Sequence, residues 1–238
     1  MNARAAVGLF GGTFNPIHVA HLRAAEEAAE ALGLERLVFV PSAQPPHKPA
    51  SGHEPLAPAA LRLAWVRAAT ASNPRFAVDP LELERRGPSY SIDTVRALSA
   101  RISPSRLVFV IGQDAFVEIA SWRDPEALVA AADFAILTRP PVVEGSLARW
   151  LPPALAGAFA LDADGRSALH RQAGTRLVAL EITALDVSSS DIRARLRAGR
   201  SVRYLLPDAI HDAVVGSGVY GPPAAAAPHP RIAAEDGA

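Results

Sequence analysis

Short apolar runs rich in Val, Leu, Ile and Phe recur along this chain at 5–10, 36–40, 75–79, 107–111, 133–137 and 177–182. Between most of them lie alanine-rich stretches of helical pattern, at 18–32, 57–71, 91–100 and 125–131. This alternation constrains the fold more than any other feature. A strand that is apolar throughout must be covered on both faces, and the crossover helices of a parallel sheet provide that cover. The expected architecture is therefore α/β: a Rossmann-like, doubly wound parallel sheet with helices on both faces. With 238 residues, half of them hydrophobic, the chain can bury one substantial core. A single domain is expected over 1–221. Within it, 140–172 carries Pro140, Pro141, Pro152 and Pro153, breaks the alternation and reads as an irregular or helical insertion. Residues 222–238 begin Pro-Pro-Ala-Ala-Ala-Ala-Pro and end polar, the composition of a disordered tail.

Composition narrows the function. The 24 basic and 24 acidic residues cancel, so bulk electrostatics favour neither nucleic acid nor a membrane surface. Cysteine is absent, which excludes disulfides, thiolate catalysis and cysteine-based zinc sites. No stretch approaches the roughly 20 apolar residues of a membrane span, and Gly11 interrupts the first run before it could serve as a signal segment. A cytoplasmic enzyme is the expectation.

Residues 10–22 are the most informative segment. Gly11 and Gly12 close the first apolar run, Pro16 stands just before a helical pattern, and His18 and His21 are three apart. Val19, Leu22, Ala25, Ala29 and Leu32 fall at helical spacing and stop at Gly33, so the segment lies on a strand–turn–helix. The two histidines then project from one face of the first helical turn. Unpaired backbone N–H groups and the positive end of the helix dipole would lie beside them, a setting for polyanionic phosphate.

The other informative residues also follow strand ends. Pro41–Lys48 follows one run, Gly112-Gln113-Asp114 a second, Thr138-Arg139 a third and Ser188–Arg193 the last. Ligands of open α/β sheets bind at that edge, so one pocket is expected to collect them. Lys48 is the only lysine in the chain and suits a point contact to phosphate. The serine run offers a helix N-cap. Arg193 lies in the first turn after it, where a cation opposes the dipole and gains nothing structurally; a bound anion would remove that conflict. From pattern alone, Asp114 reads equally as the N-cap of its helix and Trp122 as an ordinary packing aromatic. Trp65 and Trp150 read as packing residues.

Thr13 to His21 resembles the Ser/Thr-Phe-Asp/Asn-Pro-x-His-x-Gly/Ala-His signature of the nucleotidyltransferase superfamily that includes the adenylyl- and cytidylyltransferases. Ala20 stands where glycine is commonest. Val187 to Arg193 resembles the superfamily's second motif, Ile/Val-Ser-Ser-Ser/Thr-x-Ile-Arg. Further segments resemble those of the bacterial nicotinate-mononucleotide adenylyltransferases: Pro45-Pro46-His47-Lys48, Pro88 to Thr94, Gly112-Gln113-Asp114 followed by Trp122, and Arg203 to Pro207. The resemblance runs from about residue 5 to 220.

It implies adenylyl transfer from ATP to nicotinate mononucleotide, with deamido-NAD and pyrophosphate as products. His18, His21, Lys48 and Arg193 are the implied catalytic residues. Gly11, Gly12, Thr13, Phe14, Gly112, Asp114, Ser189, Ser190 and Arg193 would bind ATP and its phosphates. Thr13, Asn15, His47, Lys48, Ser89, Tyr90, Thr94, Trp122 and Arg139 would bind the pyridine nucleotide. Mg²⁺ would be held by ATP and water, with no protein side chain as ligand, and neither nucleic acid nor membrane is an implied partner. Alternatives that share the end motifs are a nicotinamide-mononucleotide or phosphopantetheine adenylyltransferase, a cytidylyltransferase and a non-catalytic nucleotide-binding module. A class I aminoacyl-tRNA synthetase lacks room here for its tRNA-binding domain.

Overall fold

The computed structural model describes residues 5–44, 55–138 and 146–221. His47, Lys48, Arg139 and the 222–238 segment lie outside the described residues. The apolar runs form β1 (Ala6–Gly12), β2 (Arg36–Pro41), β3 (Phe76–Val78), β4 (Arg106–Gly112) and β5 (Asp133–Thr138), each where the hydropathy places it. The helices between them are α1 (Val19–Ala31), α2 (Ala59–Thr70), α3 (Leu81–Glu84), α4 (Ser91–Ile102), α5 (Gln113–Val117) and α6 (Pro125–Ala131). Next come α7 (Ser146–Trp150), α8 (Pro153–Ala156), β6 (Phe159–Leu161), β7 (Ser167–His170), β8 (Arg176–Glu181), α9 (Ser189–Arg197) and α10 (Asp208–Gly216).

One eight-stranded sheet has the order β3-β2-β1-β4-β5-β8-β7-β6. From β3 to β8 every pairing is parallel. β6 and β7 are antiparallel to each other, and β7 is antiparallel to β8. In the described part of the 140–172 region, from 146 on, two short helices lead into a hairpin that widens the sheet. Its strands, Phe-Ala-Leu and Ser-Ala-Leu-His, are short and carry no β-branched residue, so the sequence does not mark them as strands.

Side chains alternate across the parallel strands, so each strand feeds two cores. Leu9, Val38 and Phe109 join one cluster with Ile92, Val95 and Leu128 of α4 and α6. Phe10, Phe39 and Val110 join the other, with α1, α2 and α10. Ala24, Ala25, Ala28 and Ala29 are the buried stripe of α1, and their small side chains let the helix lie close against the sheet. α1 stops because Gly33 adopts φ +58. Its N–H donates to the Glu30 carbonyl and that of Leu34 to Ala29, a Schellman closure that favours glycine at this position. Trp65 is buried in the second cluster and Trp150 packs at the margin of the first. Among the described residues no helix is long and apolar enough to cross a membrane.

Successive strands run outward from β1 in one direction and from β4 in the other. The carboxyl ends of these two neighbours therefore mark the topological switch point, where an open sheet leaves a crevice.

Candidate active site

At the end of β1, Gly12 leaves room for the Phe14 ring: a Cβ there would lie 3.0 Å from it, a tight contact. Phe14 takes φ +46 and turns its ring into the core, 5.2 Å from the His21 ring and 5.8 Å from that of Phe39. The chain then enters α1 with His18 at the N-cap position. The His18 backbone N–H donates to His21 Nδ1 at 3.2 Å, and the two imidazoles stack with centroids 3.7 Å apart. With Nδ1 accepting, a neutral His21 carries its ring proton on Nε2. His18 is 5 % exposed, and burial lowers its pKa to about 4; near neutral pH it is an uncharged imidazole. Its Nδ1 is buried without a hydrogen-bond partner among the described residues. The helix end is less open than the sequence suggests, because the Val19 N–H donates to the Leu205 carbonyl at 3.1 Å.

The informative residues do not share one pocket; those that line a cavity divide between two at the β1–β4 crevice. The first, about 320 Å³, holds Gly11, Gly12, Thr13, Ser89, Tyr90, Thr94 and Trp122. Ser42, Glu82, Phe109, Glu118 and Arg123 complete most of its wall, and the Arg123 guanidinium lies 5.4 Å from the centre of the Tyr90 ring. The second, about 410 Å³, holds His18, His21, Gly112 and Asp114, together with Gln113, Thr138 and the 182–185 segment. Asp114 is the second residue of α5 and not its N-cap, which is Gly112.

Three predicted residues serve the scaffold. Asn15 is buried and lines neither cavity. Its Nδ2 donates to the Pro55 carbonyl at 3.0 Å, while Oδ1 accepts from the Ala57 N–H at 3.0 Å and from the Tyr220 hydroxyl. Ser89 Oγ accepts from the Ala43 and Gln44 N–H groups at 3.1 and 3.3 Å, which pins the loop after β2. Ser189 Oγ donates to the Pro16 carbonyl at 2.9 Å.

Ser188 caps α9 as expected, its hydroxyl accepting from the Asp191 N–H. Arg193, by contrast, does gain structurally from its position. It is buried, donates to the Asn15 carbonyl at 2.8 Å and to Ser190 Oγ at 3.0 Å, and so docks α9 onto the turn before His18.

Arg62, Glu82 and Tyr220 belong to no sequence motif, yet the structure sets them beside the site. Arg62 is 1 % exposed and gathers the carbonyls of Ala57, Thr13, Ser42 and Ala43. Its one sequence signal is an arginine in an apolar stripe with Trp65, Val66 and Ala69. Glu82 follows the end of β3, as other site residues follow their strands. Tyr220 has no local signal.

Comparison with known proteins identifies the family. A profile of the cytidylyltransferase-like family matches residues 9–195. A Citrifermentans bemidjiense protein named "Probable nicotinate-nucleotide adenylyltransferase" is 45% identical over 90% of this chain and 97% of its own. A Geobacter sulfurreducens protein of the same name is 41% identical with the same coverage. The nicotinic acid mononucleotide adenylyltransferase of Plasmodium falciparum, solved as a complex with NaAD, superposes with a TM-score of 0.67 at 16% identity. That alignment covers 91% of this chain and 97% of the Plasmodium one and shows a shared fold. On these grounds the chain belongs to the nicotinate-nucleotide adenylyltransferases of the cytidylyltransferase-like family.

Proposed function

We propose that the chain transfers the adenylyl group of ATP to nicotinate mononucleotide, forming deamido-NAD and pyrophosphate. The observation that carries this reading is the placement of two nucleotide-sized cavities at the β1–β4 crevice, with the histidine pair in the wall of one and the glycine turn in the wall of the other. The second cavity takes ATP, with Gly112 and Asp114 toward the nucleoside and His18 and His21 toward the phosphates. The first takes the acceptor, against Thr13, Tyr90, Thr94 and Trp122. A phosphate oxygen of the acceptor attacks the α-phosphorus in line, the bond from that phosphorus to the oxygen bridging to the β-phosphate breaks, and pyrophosphate leaves.

The residues act by position and hydrogen bonding. His18 and His21 donate to α-phosphate and bridging oxygens. A bound polyphosphate favours the charged form of His18 and raises its depressed pKa. Arg193, Ser189 and Ser190 are proposed from sequence to serve the leaving pyrophosphate, beside the contacts by which Arg193 and Ser189 hold the turn before His18. His47, Lys48 and Arg139 are proposed from sequence as further contacts to phosphates and acceptor. Mg²⁺ enters with ATP and neutralises triphosphate oxygens.

The test is pyrophosphate release from Mg-ATP with nicotinate mononucleotide, nicotinamide mononucleotide and phosphopantetheine offered separately. Selective turnover of the acid mononucleotide is expected, and a preference for either other acceptor overturns the acceptor assignment. His18→Ala and His21→Ala should each lower kcat by roughly 100-fold or more with the fold intact. Near-wild-type turnover in either removes the pair from the mechanism.

A further inference from the structure

Glu82 is 6 % exposed and lies in the wall of the first cavity. Its Oε1 accepts from Thr94 Oγ1 at 2.6 Å, and the Arg85 guanidinium reaches the same hydroxyl at 3.2 Å. Its Oε2 is buried with no hydrogen-bond partner among the described residues. Ser42 Oγ, from the same cavity wall, is buried and unpartnered as well. A buried polar atom without a partner is costly. Two of them in one wall mark a place that a polar ligand completes.

Charge narrows the ligand. Burial pushes the Glu82 carboxyl above its ordinary range, against the pull of the Thr94 and Ser89 hydroxyls and of Arg85. The other charged groups of the wall are Glu118 and Arg123. With Oε1 already accepting, a neutral carboxyl carries its proton on Oε2 and offers it as a donor. Tyr90, Phe109 and Trp122 supply aromatic surface in the same cavity, so the ring end of an acceptor nucleotide is the end that meets Glu82.

We propose that Glu82 is a specificity-determining residue of the acceptor cavity, its protonated Oε2 donating a hydrogen bond to a carboxylate on the acceptor's ring. The inference rests on reading this cavity as the acceptor site. An ionised Glu82 would set a like charge against that carboxylate. Affinity for the acid therefore falls as pH rises through the Glu82 titration, and an uncharged amide in the same place is spared.

Glu82→Gln separates the possibilities, because the carboxamide keeps the volume and remains a donor at every pH. The measurement is kcat and KM for the acid and the amide mononucleotide, in wild type and variant, over a pH series that spans the Glu82 titration, with its lowest and highest pH values compared. Comparing the two proteins cancels the titration of the substrate phosphate. For the acid, wild-type KM relative to the variant should rise about tenfold between the two pH values, the loss of one charge-assisted hydrogen bond. KM for Mg-ATP, kcat and the amide comparison should not follow. A wild-type-to-variant ratio for the acid that is flat with pH overturns the proposal. Should Glu82→Gln fail to fold, Thr94→Val removes a hydroxyl that favours the ionised form, and the KM rise should move to higher pH; an unmoved profile overturns the proposal equally. Failure of the acceptor reading itself shows in wild type alone, as no turnover of the acid mononucleotide at either pH.

Discussion

His18 places an imidazole where solvent scarcely reaches, and the consequence is a pH-dependent stability. In the unfolded chain its pKa is near the ordinary 6.5, whereas in the folded protein burial holds it at about 4. Between these values the unfolded state binds a proton that the folded state refuses, so stability is present above pH 6.5 and is lost as pH falls toward 4. At about pH 4.5 the loss from this residue is about 2.5 kcal/mol. Urea unfolding at neutral pH and at pH 4.5 should show wild type losing more stability than His18→Gln by about that amount. Equal losses would mean that the imidazole stays solvated in the folded protein. The depressed pKa could not be read from the His-x-x-His spacing. Spacing places the two rings on one face, and burial decides the charge of His18.

At the scale of elements, α2 holds the crevice in shape through a single side chain. Arg62 donates to four backbone carbonyls, two from the loop after β2, one from the turn after β1 and one from the start of its own helix segment. A lysine has one compact donor group and cannot span them. Arg62→Lys should cost at least about 2 kcal/mol of stability, the loss of one or more charge-assisted hydrogen bonds. It should also raise KM for the acceptor more than for ATP, since Thr13 and Ser42 line the first cavity, the one proposed to take the acceptor. An unchanged urea midpoint would show that the loops hold themselves. The major elements were legible because their patterns are local: continuous apolar runs for β1 to β5 and β8, alanine-rich helices between them, and the serine cap of α9. The β6–β7 hairpin was not legible, because its short strands carry no β-branched residue and take their identity from a neighbour in the sheet.

The whole molecule closes through its last described turn. Tyr220 is buried beside Trp65, with ring centroids 6.0 Å apart, and its hydroxyl donates to the Asn15 side chain, 205 residues away in sequence. Burial pushes the phenol above its ordinary pKa, against the pull of Arg193 and Arg62, so it remains a donor. Tyr220→Phe should lower stability by about 1 kcal/mol and leave the secondary structure unchanged, as circular dichroism and urea unfolding would show; full retention of stability would mean that Asn15 is held without it. By itself the sequence determined the parallel α/β class, the strand-end positions of the motif residues and the family, since each follows from short-range pattern. The tertiary structure decided that those residues serve two cavities, that Asn15 and Arg193 tie the chain together, and that Arg62 and Glu82 belong beside the site. Those outcomes depend on burial and on contacts between residues tens to hundreds of positions apart, which no local pattern encodes.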